Sequence, residues 1–266
     1  MVKTLEIRQS AAKLVKLFVY VEFKLYICCM KTRQYTLDED FFSVIDSEEK
    51  AYWLGFIFAD GSVTVRSAGQ AVLQIKCHIK DAAHLNKFHK DIGTNKPIKY
   101  YSQKTVYSNS KYAQSALISN TLVQDLISKG CVPRKSLILK WPNNLTEELA
   151  PHFMRGYFDG DGSICETTQK TKHGIWKHPA ISICGTKEFL TEFAKRLNIE
   201  KCIYPEYRKK DKNCWSLKLS SKKRCKSFFD LLYKDQHVCL SRKLEKFLEL
   251  QGGSTTTISA PTQVMV

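Results

Sequence analysis

A nine-residue phrase occurs twice in this chain, and the rest of the sequence can be arranged around it. The first copy is Trp53-Leu54-Gly55-Phe56-Ile57-Phe58-Ala59-Asp60-Gly61; the second is Met154-Arg155-Gly156-Tyr157-Phe158-Asp159-Gly160-Asp161-Gly162. Each is a mostly apolar helical run with small residues four apart: Gly55 and Ala59 in one, Gly156 and Gly160 in the other. Residues at i and i+4 share a helix face. A face carrying only hydrogen or methyl lets a second backbone come very close, as small-xxx-small pairs do between helices. The two copies are therefore expected to pack on each other. Both then end in Asp-Gly, where the glycine reads as a helix stop in a left-handed conformation. Aspartate in a last helical turn has the wrong sign for the macrodipole. Two such carboxylates in matching register repel unless a proton or cation sits between them. A local rule broken twice points to function.

The phrases resemble the two motifs of a single-chain LAGLIDADG homing endonuclease. The resemblance implies that the last acidic residue of each motif, Asp60 and Asp161, binds the divalent metal used to cut DNA. The first motif departs from the pattern at its earlier acidic position, where Phe58 stands; the second keeps Asp159. That position is not the family's metal ligand, so the departure removes no ligand. The resemblance covers roughly residues 38 to 235. It implies an α+β fold of two pseudo-symmetric αββαββα halves, with antiparallel sheets forming a DNA-binding saddle.

Composition agrees with a polyanionic partner. The chain has 266 residues, 43% of them hydrophobic, and a formal net charge of +16. An excess of this size suits nucleic acid or an anionic membrane surface. No run is long and apolar enough to span a bilayer; the best stretch, Leu14 to Cys29, is broken by Lys16, Glu22 and Lys24. Ten cysteines are present, but Cys28-Cys29 is the only close pair and no C-x-x-C occurs. This pattern fits free thiols in a reducing intracellular compartment, and for the same reason the sequon Asn144-Leu145-Thr146 is discounted.

Residues 1–36 form an N-terminal extension whose periodicity decides between strand and helix in neither direction. It lacks a small-residue cleavage site after a clean apolar core, so a secretory signal is not expected; an organelle presequence and translated upstream sequence stay open. The first half spans 37–130. A helix starting at Asp46-Ser47-Glu48-Glu49 runs through the first motif to Asp60. Strands follow at Ser62–Arg66 and Ala71–Lys80. In the latter Leu73, Ile75, Cys77 and Ile79 point one way and Gln74, Lys76, His78 and Lys80 the other, the period of a strand with one wet face. A helix at Asp81–Asp91, strands near Ile98–Val106 and Lys111–Ser119, and a helix at Thr121–Lys129 complete the half. A linker, 131–145, carries Pro133 and Pro142.

The second half, 146–250, repeats the order. A helix from Thr146 carries the second motif. Strands at Ser163–Gln169 and Pro179–Cys184, a helix at Thr186–Leu197, strands at Cys202–Lys209 and Asn213–Leu219, and a helix at Lys222–Lys234 follow. A last helix lies near Arg242–Leu250, and a Ser/Thr-rich tail, 251–266, is expected to be disordered. With the motif aspartates about a hundred residues apart, the chain reads as an internal repeat.

Wet-face residues are the candidate DNA readers, because a major groove admits a β-ribbon and distinguishes all four base pairs. They are Thr64, Arg66, Gln74, Lys76 and His78 in the first half, with Thr167, Gln169, Arg208 and Lys218 in the second. Loop cations Lys104, Lys170, Lys172, Lys209 and Lys210 suit phosphate contacts, which position without reading sequence. A single such residue is as often merely solvated; only the collective pattern is informative. Hydrolysis of a phosphodiester needs an activated water and stabilised charge, which paired divalent ions supply. Mg²⁺, with Mn²⁺ tolerated, suits Asp60 and Asp161. By resemblance, a lysine late in the strands of each half lies near the scissile phosphate; Lys218 is the best match, and Leu117 stands at the corresponding place in the first half.

The sequence thus reads as a monomeric, site-specific double-strand DNA endonuclease with double-stranded DNA as partner and no membrane. Two alternatives use the same fold: an RNA maturase bound to intron RNA, and a cleavage-inactive DNA-binding regulator. Retention of both motif aspartates speaks against the regulator. An intein is disfavoured because no splicing block surrounds the motifs and the chain ends Val264-Met265-Val266.

Overall fold

The computed structural model describes residues 34–66, 69–104, 109–172, 174–206, 213–234 and 236–251. Most of the N-terminal extension, the tail beyond 251 and Arg208 to Lys210 lie outside the described residues. By its contacts the chain divides into two units, Met1–Thr36 and Leu37–Val266.

The larger unit holds two pseudo-symmetric halves. The first runs α1 (Glu48–Asp60), β1 (Gly61–Val65), β2 (Ala71–His78), α2 (Ala82–Asp91), β3 (Lys99–Lys104), β4 (Asn109–Ile118) and α3 (Asn120–Ser128). The second runs α4 (Ala150–Asp161), β5 (Gly162–Thr171), β6 (Gly174–Gly185), α5 (Lys187–Lys195), β7 (Ile203–Pro205), β8 (Trp215–Leu219) and α6 (Lys222–Leu232); α7 (Ser241–Leu250) follows. Each half contributes an antiparallel four-stranded sheet, ordered β1-β2-β4-β3 and β5-β6-β8-β7. Among the described residues no helix is long and apolar enough to cross a membrane.

Local chemistry accounts for most boundaries. Ser47 caps α1 by accepting the Lys50 N–H, with Glu48 and Glu49 in the first turn where the dipole favours them. Helix α4 begins at Ala150, later than the expected Thr146, because Pro151 fits only the first turn, where its missing N–H costs nothing. Strand β2 stops at His78 instead of Lys80. The His78 ring nitrogen accepts the Lys80 N–H and turns the chain into a short 3₁₀ segment, Ile79–Asp81. Strands β5 and β6 are longer than expected, because cross-strand pairing continues past the Ile164–Ile181 level to Thr171 and Gly174.

Helices α1 and α4 pack directly on each other at the centre of the unit. A Cβ on Gly55 would lie 2.0 Å from the Phe153 carbonyl oxygen, and one on Gly156 would lie 1.9 Å from that of Tyr52. A Cβ on Gly160 would lie 2.3 Å from the Ala59 methyl. Backbone therefore meets backbone at the first pair and methyl meets hydrogen at the second. The glycines after the aspartates differ from expectation. Gly61 (φ −78°, ψ 151°) and Gly162 (φ −77°, ψ 153°) are extended, not left-handed. They are needed for space: a Cβ on Gly162 would lie 2.1 Å from the Phe158 ring, and one on Gly61 2.7 Å from the Ile57 oxygen. Each helix thus passes straight into the first strand of its half.

The second motif also carries a buried cation. Arg155 donates to the carbonyls of Val238 (2.9 Å) and Leu232 (2.7 Å) and to Glu48 (2.6 Å). Glu48, at the start of α1, also accepts the His237 N–H at 2.8 Å. A buried charge is tolerable only when so completely paired.

The helix seam makes a directional prediction. Gly156→Ala should destabilise the protein by about 3 kcal/mol or more in denaturant unfolding. Gly160→Ala should also destabilise it, but adding Ala59→Gly should recover most of that loss, since the obstacle there is a methyl. No side-chain change should recover Gly156→Ala, whose obstacle is a carbonyl.

Candidate functional site

The seam brings the ends of α1 and α4 together, and with them the two motif aspartates. A Cβ at Gly160 would lie 3.5 Å from the Asp60 backbone nitrogen. Both aspartates keep exposed surface, yet Asp60 is surrounded densely enough to feel its neighbour. Burial first, then the charge of Asp161, pushes its carboxyl up to about 6. Lys243 and Lys135 pull the other way.

Those two lysines reach the motif ends in parallel fashion. Lys135 lies in a 3₁₀ segment of the linker, Lys135–Leu137, and its Nζ donates to the Gly61 carbonyl. Lys243 lies in the first turn of α7; its Nζ donates to the Phe158 carbonyl (2.5 Å) and to that of Gly162. Both side chains are buried. Burial lowers the Lys243 ammonium to about 8, against the opposing pull of Asp159, Asp60 and Asp161. Each half-site therefore pairs a carboxylate with a lysine seated on the next residue's carbonyl. The linker itself is tied to the second half: Thr186 Oγ1 donates to the Leu139 carbonyl (2.5 Å), and Asn213 to that of Leu137 (2.7 Å).

Lys218 is placed differently. It stands on the wet face of β8, 2.7 Å from Glu206, which also accepts from Ser216 at 2.7 Å. The ladder registers also revise its expected counterpart. Gly61 pairs with Ile75 and Gly162 with Ile183; Gln74 then pairs with Ala116 as Ser182 pairs with Lys218. Ala116, not Leu117, is the equivalent position, and Leu117 points into the core.

The first sheet presents Thr64, Gln74, Lys76 and His78 on one face, as alternation predicted, with Arg66 just beyond β1. The same registers add Tyr112 and Gln114 from β4 and Lys99 and Tyr101 from β3. Lys76 Nζ sits 4.1 Å from the Tyr112 ring centroid and 5.4 Å from that of Tyr101, a cation held over two aromatic faces. The Tyr101 hydroxyl donates to Gln114. Alternation through residues 111–119 carried the signal for Tyr112 and Gln114. In the second sheet Thr167 is half-buried, with its hydroxyl donating to the His178 carbonyl at 3.1 Å. Gln169 lies in β5 opposite Trp176, and its side chain, like those of Lys104 and Lys170, is outside the described residues. Lys172 is exposed. The described cysteines are free thiols.

The donor set suits a hard divalent cation. Two carboxylates repelling across a seam are stabilised by positive charge between them, and oxygen donors match Mg²⁺. Among the described residues no group of three or more His, Cys, Asp and Glu side chains could hold a metal. Water and phosphate oxygens would have to complete the shell, as Mg²⁺ commonly accepts.

Comparison with known proteins bears on the fold. Residues 148–233 match the model of a LAGLIDADG-like domain. The chain resembles the solved structure of the LAGLIDADG meganuclease I-CpaMI bound to uncleaved DNA, with 13% identity and a TM-score of 0.50, over 77% of this chain and 90% of that one. It also resembles the LAGLIDADG homing endonuclease I-SmaMI bound to cleaved DNA, with 15% identity and a TM-score of 0.51, over 78% of this chain and 88% of that one. No curated protein sequence matches. Within the second half, residues 148–233 are thus similar to a LAGLIDADG-like domain. The two halves together have the fold of the LAGLIDADG homing endonucleases.

The raised Asp60 carboxyl sets a pH dependence. Its folded value, about 6, exceeds the ordinary 3.8, so between these values the folded state binds more proton than the unfolded. Stability of the cation-free protein should therefore fall as pH rises through that window. Asp60→Asn should flatten the fall and raise the melting temperature at pH 7. Mg²⁺ should raise the melting temperature of the unsubstituted protein at pH 7 and lose that effect near pH 5.

Proposed function

We propose that the chain is a monomeric, site-specific, divalent-metal-dependent DNA endonuclease of the homing type, which cuts both strands of a long target. The observation that supports this reading best is the pair of half-sites at the helix seam. Each offers a carboxylate, Asp60 or Asp161, beside a lysine ammonium seated on the next carbonyl. One half-site would serve each strand, so a single chain would suffice for a double-strand break.

Asp60 and Asp161 would hold the cations, with water and phosphate oxygens completing the shell. A bound divalent ion lowers the pKa of water and stabilises charge on the attacking and leaving oxygens. Lys135 and Lys243 add fixed positive charge beside the carboxylates, where negative charge on a phosphate would accumulate. The buried seam behind them, lined by Gly55, Gly156 and Ala59, keeps the two half-sites at a set separation.

The sheets would lie along the major groove. Thr64, Gln74, Lys76, His78, Tyr112 and Gln114 would face bases or backbone in one half-site, and Thr167 and Lys218 in the other. The ion pair of Lys218 with Glu206 makes it a poorer phosphate ligand than Lys76, which faces aromatic rings.

The test is a cleavage selection on randomised duplex DNA with Mg²⁺, run in parallel with Ca²⁺. Asp161→Asn should abolish cutting of at least one strand while DNA affinity stays within a few-fold; full double-strand breaks by this variant would refute the assignment. Binding should weaken steeply with salt, because each neutralised phosphate releases counterions. A flat salt profile would remove the sheet face as a DNA surface. Tight binding to intron RNA without any DNA cleavage would instead favour a maturase.

A further inference from the structure

Asp159 and Phe58 hold equivalent positions in the two motifs but do different things. Phe58 packs edge-on against Phe153, with ring centroids 5.2 Å apart. Asp159 is 2% exposed, and its carboxylate gathers three donors. Oδ2 accepts from the Tyr52 hydroxyl at 2.8 Å and from the Leu240 N–H at 2.7 Å; Oδ1 accepts from the Tyr233 hydroxyl at 2.5 Å. Because Tyr52 gives its one proton to Asp159, its 2.8 Å bond with His84 Nε2 has the histidine as donor. Burial lowers the His84 imidazolium to about 3, so a neutral ring supplies that hydrogen.

The Leu240 bond places this carboxylate in the path of the site. Leu240 stands immediately before α7, in the capping position, and its own side chain cannot cap a helix. Asp159 takes the N–H at that junction instead. One turn on, Lys243 N–H bonds the Leu240 carbonyl at 2.9 Å, and Lys243 Nζ reaches the carbonyls of Phe158 and Gly162. Two further contacts hold α7: Arg242, in the same first turn, forms two 3.0 Å bonds to Asp81, and Phe247, farther along, stacks on Phe229 at 3.6 Å. Loss of the Asp159 contact would therefore free the Leu240 backbone, to which the Lys243 N–H is bonded, without detaching the helix. In the first half Lys135 arrives on a linker turn, and Phe58 offers no such anchor.

We propose that Asp159 is a positioning residue for one half-site only. It pins the start of α7 so that Lys243 Nζ meets the carbonyl beside Asp161, and it has no part in the half-site of Asp60 and Lys135. The proposal rests on the nuclease reading for its effect on cleavage, but the positioning itself can be measured without cleavage.

The experiment compares Asp159→Asn and Tyr233→Phe, each alone and combined with Lys243→Ala. Acetylation of lysines by a soluble reagent, read by mass spectrometry on the folded full-length chain, reports whether Nζ leaves its seat. Strand-resolved cleavage of the selected target reports function; the strand lost in Asp161→Asn defines the second half-site. In Asp159→Asn, Lys243 should be labelled several-fold faster with Lys135 unchanged. Cutting of the second-half strand should fall about tenfold or more, and of the other strand less than twofold. In the Lys243→Ala background Asp159→Asn should add nothing further. Equal loss on both strands, undiminished protection of Lys243, or an additive loss in that background would each overturn the proposal. Should Asp159→Asn fail to fold, Tyr233→Phe decides by the same labelling ratio: a selective rise at Lys243 supports the proposal, and none refutes it. If the unsubstituted protein cuts no DNA, the nuclease reading fails while the labelling still decides what Asp159 does.

Discussion

Two backbones touching at glycine is the constraint on which the rest of this structure depends. Gly55 lies under the Phe153 carbonyl and Gly156 under that of Tyr52, with no room for a Cβ at either place. Side chains usually hold helix axes well apart; here hydrogen replaces them. Because both helices end within a turn or so of the contact, their C-termini emerge side by side. The extended Gly61 and Gly162 then send each chain into its own sheet without a turn. A packing decision in the apolar middle of α1 and α4 is thereby converted into the placement of two carboxylates and two β-sheets.

That placement has an electrostatic cost. Asp60 is raised because desolvation and Asp161 act on it together, and both aspartates stand at the negative end of a helix dipole. The buried lysines offset part of this cost. Neither comes from the repeated unit proper: Lys135 is in the linker and Lys243 in the helix added after the second half. The repeat supplies acid symmetrically, and the segments between and after the halves supply base. These segments can differ in form, a 3₁₀ turn in one case and an α-helix in the other, and still bring an ammonium to the same kind of carbonyl.

Much of the scaffold was legible in local pattern. Ser47 before Glu48-Glu49 marked a helix start, period two through Leu73, Ile75 and Cys77 marked a strand, and small residues four apart marked the seam. Failures occurred where a specific side-chain or cross-strand contact, not periodicity, decides the outcome. His78 ends β2 through its own ring, which alternation does not see. The true counterpart of Lys218 is Ala116, because register between strands is set by pairing and not by counting residues from a motif. The aromatic seat of Lys76 needed β3 and β4 to be laid beside β2.

The amino-acid sequence by itself determined the duplicated helices, the acid at the end of each, the succession of strands along the chain and the basic wet face. All of these follow from periods of two and 3.6 and from residues that only certain backbones tolerate. The tertiary structure alone decided which lysines stand beside the acids and that Asp159 grips the start of the last helix. Those contacts join residues 74 to 85 positions apart. No local periodicity encodes a hydrogen bond between a side chain and a carbonyl that only the finished packing brings within reach.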